Sequence, residues 1–159
     1  MRGRAGVGPG ARGTRWVKAG PLCNRTCRNC YIESSPRNDR LAYFTRAELS
    51  GVLDEIERDA LPVRLIGFTG GEPFMNPEFF GMLEDCLSRG FRVLVLTNAM
   101  KPMQRFRARP LDLNRRLGSK LTTRLSPDPF PAERHEGRPG PRPFKATMDG
   151  LDRARRNRI

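Results

Sequence analysis

Residues 63–97, VRLIGFTGGEPFMNPEFFGMLEDCLSRGFRVLVLT, read as strand, glycine turn, helix and strand in succession. Val63 to Phe68 is a short apolar run bounded by Pro62 and by Gly70-Gly71. Asn76-Pro77 offers a cap followed by proline at the first helical position. Phe79, Leu83, Cys86 and Leu87 then recur on one helical face up to about Arg89. Gly90 stops that helix, and Arg92 to Thr97 is a near-continuous Val/Leu run of the kind that parallel sheets bury on both faces. Two such strands joined by a helix imply parallel pairing through a right-handed crossover.

The alternation extends in both directions. Upstream, Thr14 to Ala19 reads as a first strand, and 31–43 is a loop without a clear period. Thr45-Arg-Ala-Glu48 is a capping box, with Leu49, Val52, Leu53, Ile56 and Ala60 at helical spacing behind it, so 46–59 is expected to be an amphipathic helix. Downstream, 112–117 forms at most a short helix and Leu121 to Leu125 is a fourth strand. A proline-rich loop fills 127–143, and Phe144 to Arg156 returns to helical spacing. The fold class is α/β, with about four strand–helix units around a parallel sheet. Ligands of such sheets bind beyond the carboxyl ends of the strands. The chemically interesting residues fall there: a cysteine loop after the first strand, Gly70-Gly71-Glu72-Pro73 after the second, Asn98 after the third and Ser126 after the fourth.

The cysteine loop is Cys23-Asn-Arg-Thr-Cys27-Arg-Asn-Cys30, spaced C-x3-C-x2-C. Thiols this dense bind soft metals or iron–sulfur clusters rather than pack a core. A closed zinc site would need a fourth ligand, with Cys86 or His135 as candidates. Cys86, however, lies on the apolar face of its helix and reads as a small buried hydrophobe, and His135 reads as a loop residue. A cluster held by three cysteines leaves one iron open to an outside ligand.

Charge divides the chain in three. Residues 1–40 carry nine basic and two acidic side chains, residues 41–100 five and nine, and residues 101–159 sixteen and six, giving +13 in all. Basic flanks can meet nucleic acid or a phosphorylated substrate. No nucleic-acid motif accompanies them, so arginine used as a surface habit is the plainer reading. No stretch approaches the ~20 apolar residues of a membrane helix. Residues 1–14 are Arg- and Gly-rich without an apolar centre, which fits a disordered basic arm, or an extension from a misplaced start codon, rather than a secretory signal. Three close thiols without a disulfide framework suit the reducing cytoplasm.

Cys23-x3-Cys27-x2-Cys30 followed by Thr69-Gly-Gly-Glu-Pro73 resembles the radical S-adenosylmethionine (radical SAM) superfamily, over about Trp16 to Leu151. The resemblance implies a partial (β/α) barrel of the radical SAM type within 15–159. It implies a [4Fe–4S] cluster on Cys23, Cys27 and Cys30, with S-adenosylmethionine on the open iron. Gly70, Gly71, Glu72, Pro73, Asn98 and Ser126 would contact that cofactor, Glu72 taking its amino group, and Arg124 and Arg138 match basic positions near its carboxylate. It implies reductive cleavage to a 5′-deoxyadenosyl radical, an external flavodoxin- or ferredoxin-like electron donor, and a substrate that the motifs do not name. Asn29 stands where the family often has an aromatic residue before the third cysteine. The chain ends at Ile159 after about four of six units, so the expected C-terminal units are missing. A truncated product, a fragment or a half completed by a partner chain would each account for that. The rival from another class is a non-catalytic iron–sulfur or zinc module, or an inactive remnant.

Overall fold

The computed structural model describes residues 13–27, 30, 32–38, 42–98, 102, 112, 116 and 120–125. Four strands, β1 (Thr14–Lys18), β2 (Leu65–Thr69), β3 (Arg92–Thr97) and β4 (Leu121–Leu125), form one sheet in the order β1-β2-β3-β4, all parallel. Two helices, α1 (Arg46–Arg58) and α2 (Phe79–Ser88), fill the first two crossovers. Right-handed crossovers in an unreversed strand order put successive helices on the same side of the sheet. The core agrees. Val17, Ile66, Phe68, Val93, Val95 and Leu121 on the strands are buried with Leu49, Leu53 and Ile56 of α1 and Phe79, Met82, Leu83 and Leu87 of α2.

α1 starts where the capping box places it. The Thr45 hydroxyl accepts from the Glu48 N–H, and the Glu48 carboxylate accepts from the Thr45 N–H at 2.7 Å. β2 begins two residues later than the apolar run suggests. The Val63 N–H donates to Leu61 O (2.7 Å), a tight turn after Pro62, and only with Leu65 does the chain join the ladder. α2 also begins later than the Asn76-Pro77 signal. Pro73–Met75 first makes a 3₁₀ turn capped by Glu72, whose carboxylate accepts from the Phe74 N–H. Asn76 Oδ1 still accepts from the Glu78 N–H at 2.8 Å, so the asparagine caps the approach to the helix. Arg46 of α1 grips Asp85 of α2 through two hydrogen bonds (2.6 and 2.7 Å), and Arg89 reaches back to Asp54 and Ser50. The arm at 1–12, the short helix expected at 112–117 (of which only 112 and 116 are described), the proline-rich loop, the helical spacing of 144–156, Ser126, His135 and Arg138 lie outside the described residues.

Candidate functional site

Past the ends of β1 and β2 the two chains stay zipped. The N–H groups of Gly71 and Glu72 donate to Gly20 O and Leu22 O, both at 2.9 Å. This closeness explains the glycines. Gly70 sits at φ 131°, and a Cβ there would lie 2.5 Å from Gly20 O. A Cβ on Gly71 would strike the Leu22 carbonyl. The paired glycines thus bring the turn against the segment that leads into the first cysteine. Pro73 and Phe74 pack beneath, both buried.

Glu72 is the centre of this rim, only 2 % exposed. Its Oε1 accepts from the Thr97 hydroxyl (2.7 Å) and the Phe74 N–H (3.3 Å), and its Oε2 from the Asn98 N–H (2.9 Å). The turn that follows β2 and the end of β3 therefore meet on one carboxylate. Burial raises its pKa above the ordinary carboxylate range against the lowering effect of those three donors. A carboxylate can accept about four such bonds, so one acceptor position on Oε2 is left for a further donor.

The cysteine loop is held against the same rim. Asn98 Nδ2 donates to Asn24 Oδ1 (2.8 Å) and lies 3.8 Å from Cys23 Sγ. The Cys23 N–H donates to Ser35 O, and Leu22 and Ser35 form an isolated parallel bridge. The Ser34 N–H donates to Cys30 Sγ at 3.3 Å. Cys23 is buried, Cys30 half-buried and Cys27 exposed. Burial raises the Cys23 pKa, a hydrogen bond from the Arg25 backbone opposes this, and Glu72, Cys27 and Cys30 each push it further up. The three sulfurs and the Glu72 carboxylate thus share one electrostatic neighbourhood, in which deprotonation would be favoured by a cation or a metal cluster. Among the described residues, no three His, Cys, Asp or Glu side chains stand at ligating geometry.

Ser34 was not legible as a site residue. It is 3 % exposed, and its Oγ has no hydrogen-bond partner among the described residues. Buried hydroxyls are rarely left so, and this one belongs to the residue whose backbone already serves a cysteine sulfur. Thr97 was equally hidden, as the polar end of an apolar strand. Cys86 lies fully buried in the apolar core, as its helical face predicts, with its thiol pushed up to about 12 by burial. Arg124 is exposed on β4. No helix among the described residues is long and apolar enough to cross a membrane.

Comparison with known proteins relates the chain to a family and to a relative. The family model described as the Radical SAM superfamily matches residues 17–159. An S-adenosylmethionine-dependent nucleotide dehydratase of Selenomonas ruminantium is 28% identical over 76 residues, which is 48% of this chain and 26% of that protein. The aligned part of the chain thus spans about a quarter of that relative's length.

Proposed function

This chain belongs to the radical SAM superfamily, and from that premise we propose that it is a radical-generating enzyme core whose rim, as described above, carries the cofactors. The observation that carries this reading is the convergence on Glu72: the glycine turn, the end of β3 and, through Asn98, the cysteine loop are tied to one buried carboxylate. Cys23, Cys27 and Cys30 would hold a [4Fe–4S] cluster. The residues fit that group, because the donor set is three soft thiols and a buried hydroxyl at Ser34 awaits an acceptor. When bound, the cluster supplies the electron that cleaves S-adenosylmethionine to a 5′-deoxyadenosyl radical, which takes hydrogen from a substrate.

The chain's own residues bind and orient. The open acceptor position of Glu72 would take the amino group of S-adenosylmethionine, an ion pair in a dry setting. Gly70, Gly71 and Pro73 shape the turn that presents it. Asn98 would reach the methionine or ribose portion, and Ser126, the residue after Leu125 in the sequence, would contact the same cofactor. The sheet, singly wound over its four described strands, would form part of a partial barrel of the radical SAM type within 15–159. The electron would come from a flavodoxin- or ferredoxin-like donor in the cytoplasm. The relative's printed name makes a nucleotide one candidate substrate.

Anaerobic reconstitution with iron and sulfide, then dithionite and S-adenosylmethionine, tests the proposal. The expected result is 5′-deoxyadenosine, abolished by Cys27→Ala. Glu72→Gln should keep the cluster but weaken S-adenosylmethionine binding at least about tenfold, the loss of one charge-assisted hydrogen bond. Zinc bound in place of a cluster would overturn the reading.

A further inference from the structure

The three cysteines of the loop are not held alike. Cys23 stands at its base, where the chain leaves the sheet, and is 7% exposed. Its N–H donates to Ser35 O (3.2 Å), beside the bridge between Leu22 and Ser35, and Leu22 O accepts from the Glu72 N–H (2.9 Å). The backbone at Leu22 and Cys23 is thus bonded on one side to the segment that follows Cys30 and on the other to the turn after β2. Cys27, four residues on, is exposed.

The Cys23 side chain is approached from a third direction. Asn98 Nδ2 comes within 3.8 Å of Sγ and donates to Asn24 Oδ1 at 2.8 Å, across 74 residues of sequence. A ligating sulfur is a thiolate, which accepts and does not donate. The edge of the Asn98 amide turned toward it must therefore be the NH2 edge. That NH2 carries a second hydrogen, and Asn24 Oδ1 takes it. Asn24 thereby locks the rotation of the amide that serves its neighbour, and an alanine at 24 would let the amide turn. Asn98 reaches the other way through its backbone, whose N–H donates to Glu72 Oε2.

Such an arrangement has a consequence for loading the loop. Binding that must first order its ligands is weakened by the freedom they lose, and ligands already in place escape that cost. We infer that Cys23 is a preset ligand, and that Asn24 and Asn98 are positioning residues that hold it at the rim before any metal binds. Asn98 carries the N–H toward the sulfur, and Asn24 aims it. The inference rests on the radical SAM reading for the cluster itself, but the holding of Cys23 is measured without one.

The cluster-free full chain is labelled anaerobically at neutral pH with limiting iodoacetamide, and each cysteine is followed by peptide mass. Wild-type protein should label Cys27 ahead of Cys23, and Cys86 slowest. Asn24→Ala should speed Cys23 at least about fivefold, the loss of about one hydrogen bond, with Cys86 unchanged. Losing a donor to sulfur leaves less thiolate and alone would slow labelling, so the faster rate reads opening of the loop. Because the two amides act as one unit, Asn24→Ala should add nothing in an Asn98→Ala background. In reconstituted protein, Asn24→Ala and Asn98→Ala should each shift the cluster's midpoint potential to more negative values, and the double variant no further.

An unchanged Cys23 rate, additive effects of the two substitutions or an unchanged potential would overturn the inference. So would Cys86 speeding up in step with Cys23, which would make the amide pair a support of the whole fold. If wild-type protein forms no cluster, the radical reading fails and the labelling alone decides whether Cys23 is held.

Discussion

Glu72 shows how a single buried side chain can couple a site to the stability of its scaffold. Its folded pKa is raised, so the folded chain holds that proton more tightly than the unfolded chain does. The stabilisation from this group is complete below its ordinary value of 4.5 and is lost as pH rises through the folded value. The urea midpoint of cluster-free wild-type protein should therefore fall with rising pH above 4.5 relative to Glu72→Gln, whose curve lacks that slope. Equal slopes would show that the carboxylate ionises as freely as in the unfolded chain. Ser34 makes a second residue-scale prediction. Among the described residues its hydroxyl has no partner, while its N–H donates to Cys30 Sγ. Hydrogen bonds to cluster sulfur raise a reduction potential. Ser34→Ala should retain full iron content and shift the midpoint to more negative values in an EPR-monitored titration. An unchanged potential would leave the serine a purely structural residue.

At the scale of elements, periodicity and capping chemistry located β1 to β4, α1 and α2, but not the 3₁₀ turn at Pro73–Met75 or the helical residue Pro102. They failed at element starts, where side chains far apart in sequence decide. The tight turn after Pro62 delays β2, and Glu72 inserts a 3₁₀ turn before α2. Asn76 is the clearest case. Its Pro77 neighbour marked it as a cap, and it does cap, but its Nδ2 also donates to Ala19 O and Phe44 O, both at 2.8 Å. One amide thus joins the end of β1, the approach to α1 and the approach to α2. Nothing local in the sequence announces contacts across 57 and 32 residues. Asn76→Ala should cost about 3 kcal/mol in a urea-unfolding measurement, since two carbonyls lose their donor and the cap is lost. The cysteine spacing and the Gly-Gly-Glu-Pro turn were legible because they are local patterns. The meeting of Thr97, Asn98 and Glu72 was not, because it depends on which strands become neighbours.

For the molecule as a whole, the core is an aromatic hub on one side of a singly wound sheet. Phe79 makes edge-on contacts with Phe68 (5.2 Å between centroids) and Phe74 (5.1 Å), and so links α2 to β2 and to the turn that carries Glu72. Phe79→Ala should cost about 4 kcal/mol on unfolding, in the range for emptying a large buried ring site. It should also weaken the rim, because Phe74 follows Glu72 by two residues. A loss well under that figure would mean the hub can collapse into the space. The four cysteines divide by the same architecture. Three stand in the loop at the rim, while Cys86 is sealed in the core with its thiol pushed up to about 12. Alkylating reagents attack thiolates. In cluster-free protein, the exposed Cys27 should therefore be modified promptly at neutral pH, and Cys86 only when the core opens. Counted by mass, the slow addition at Cys86 is a built-in clock for global unfolding, running in the same tube in which the loop thiols are consumed.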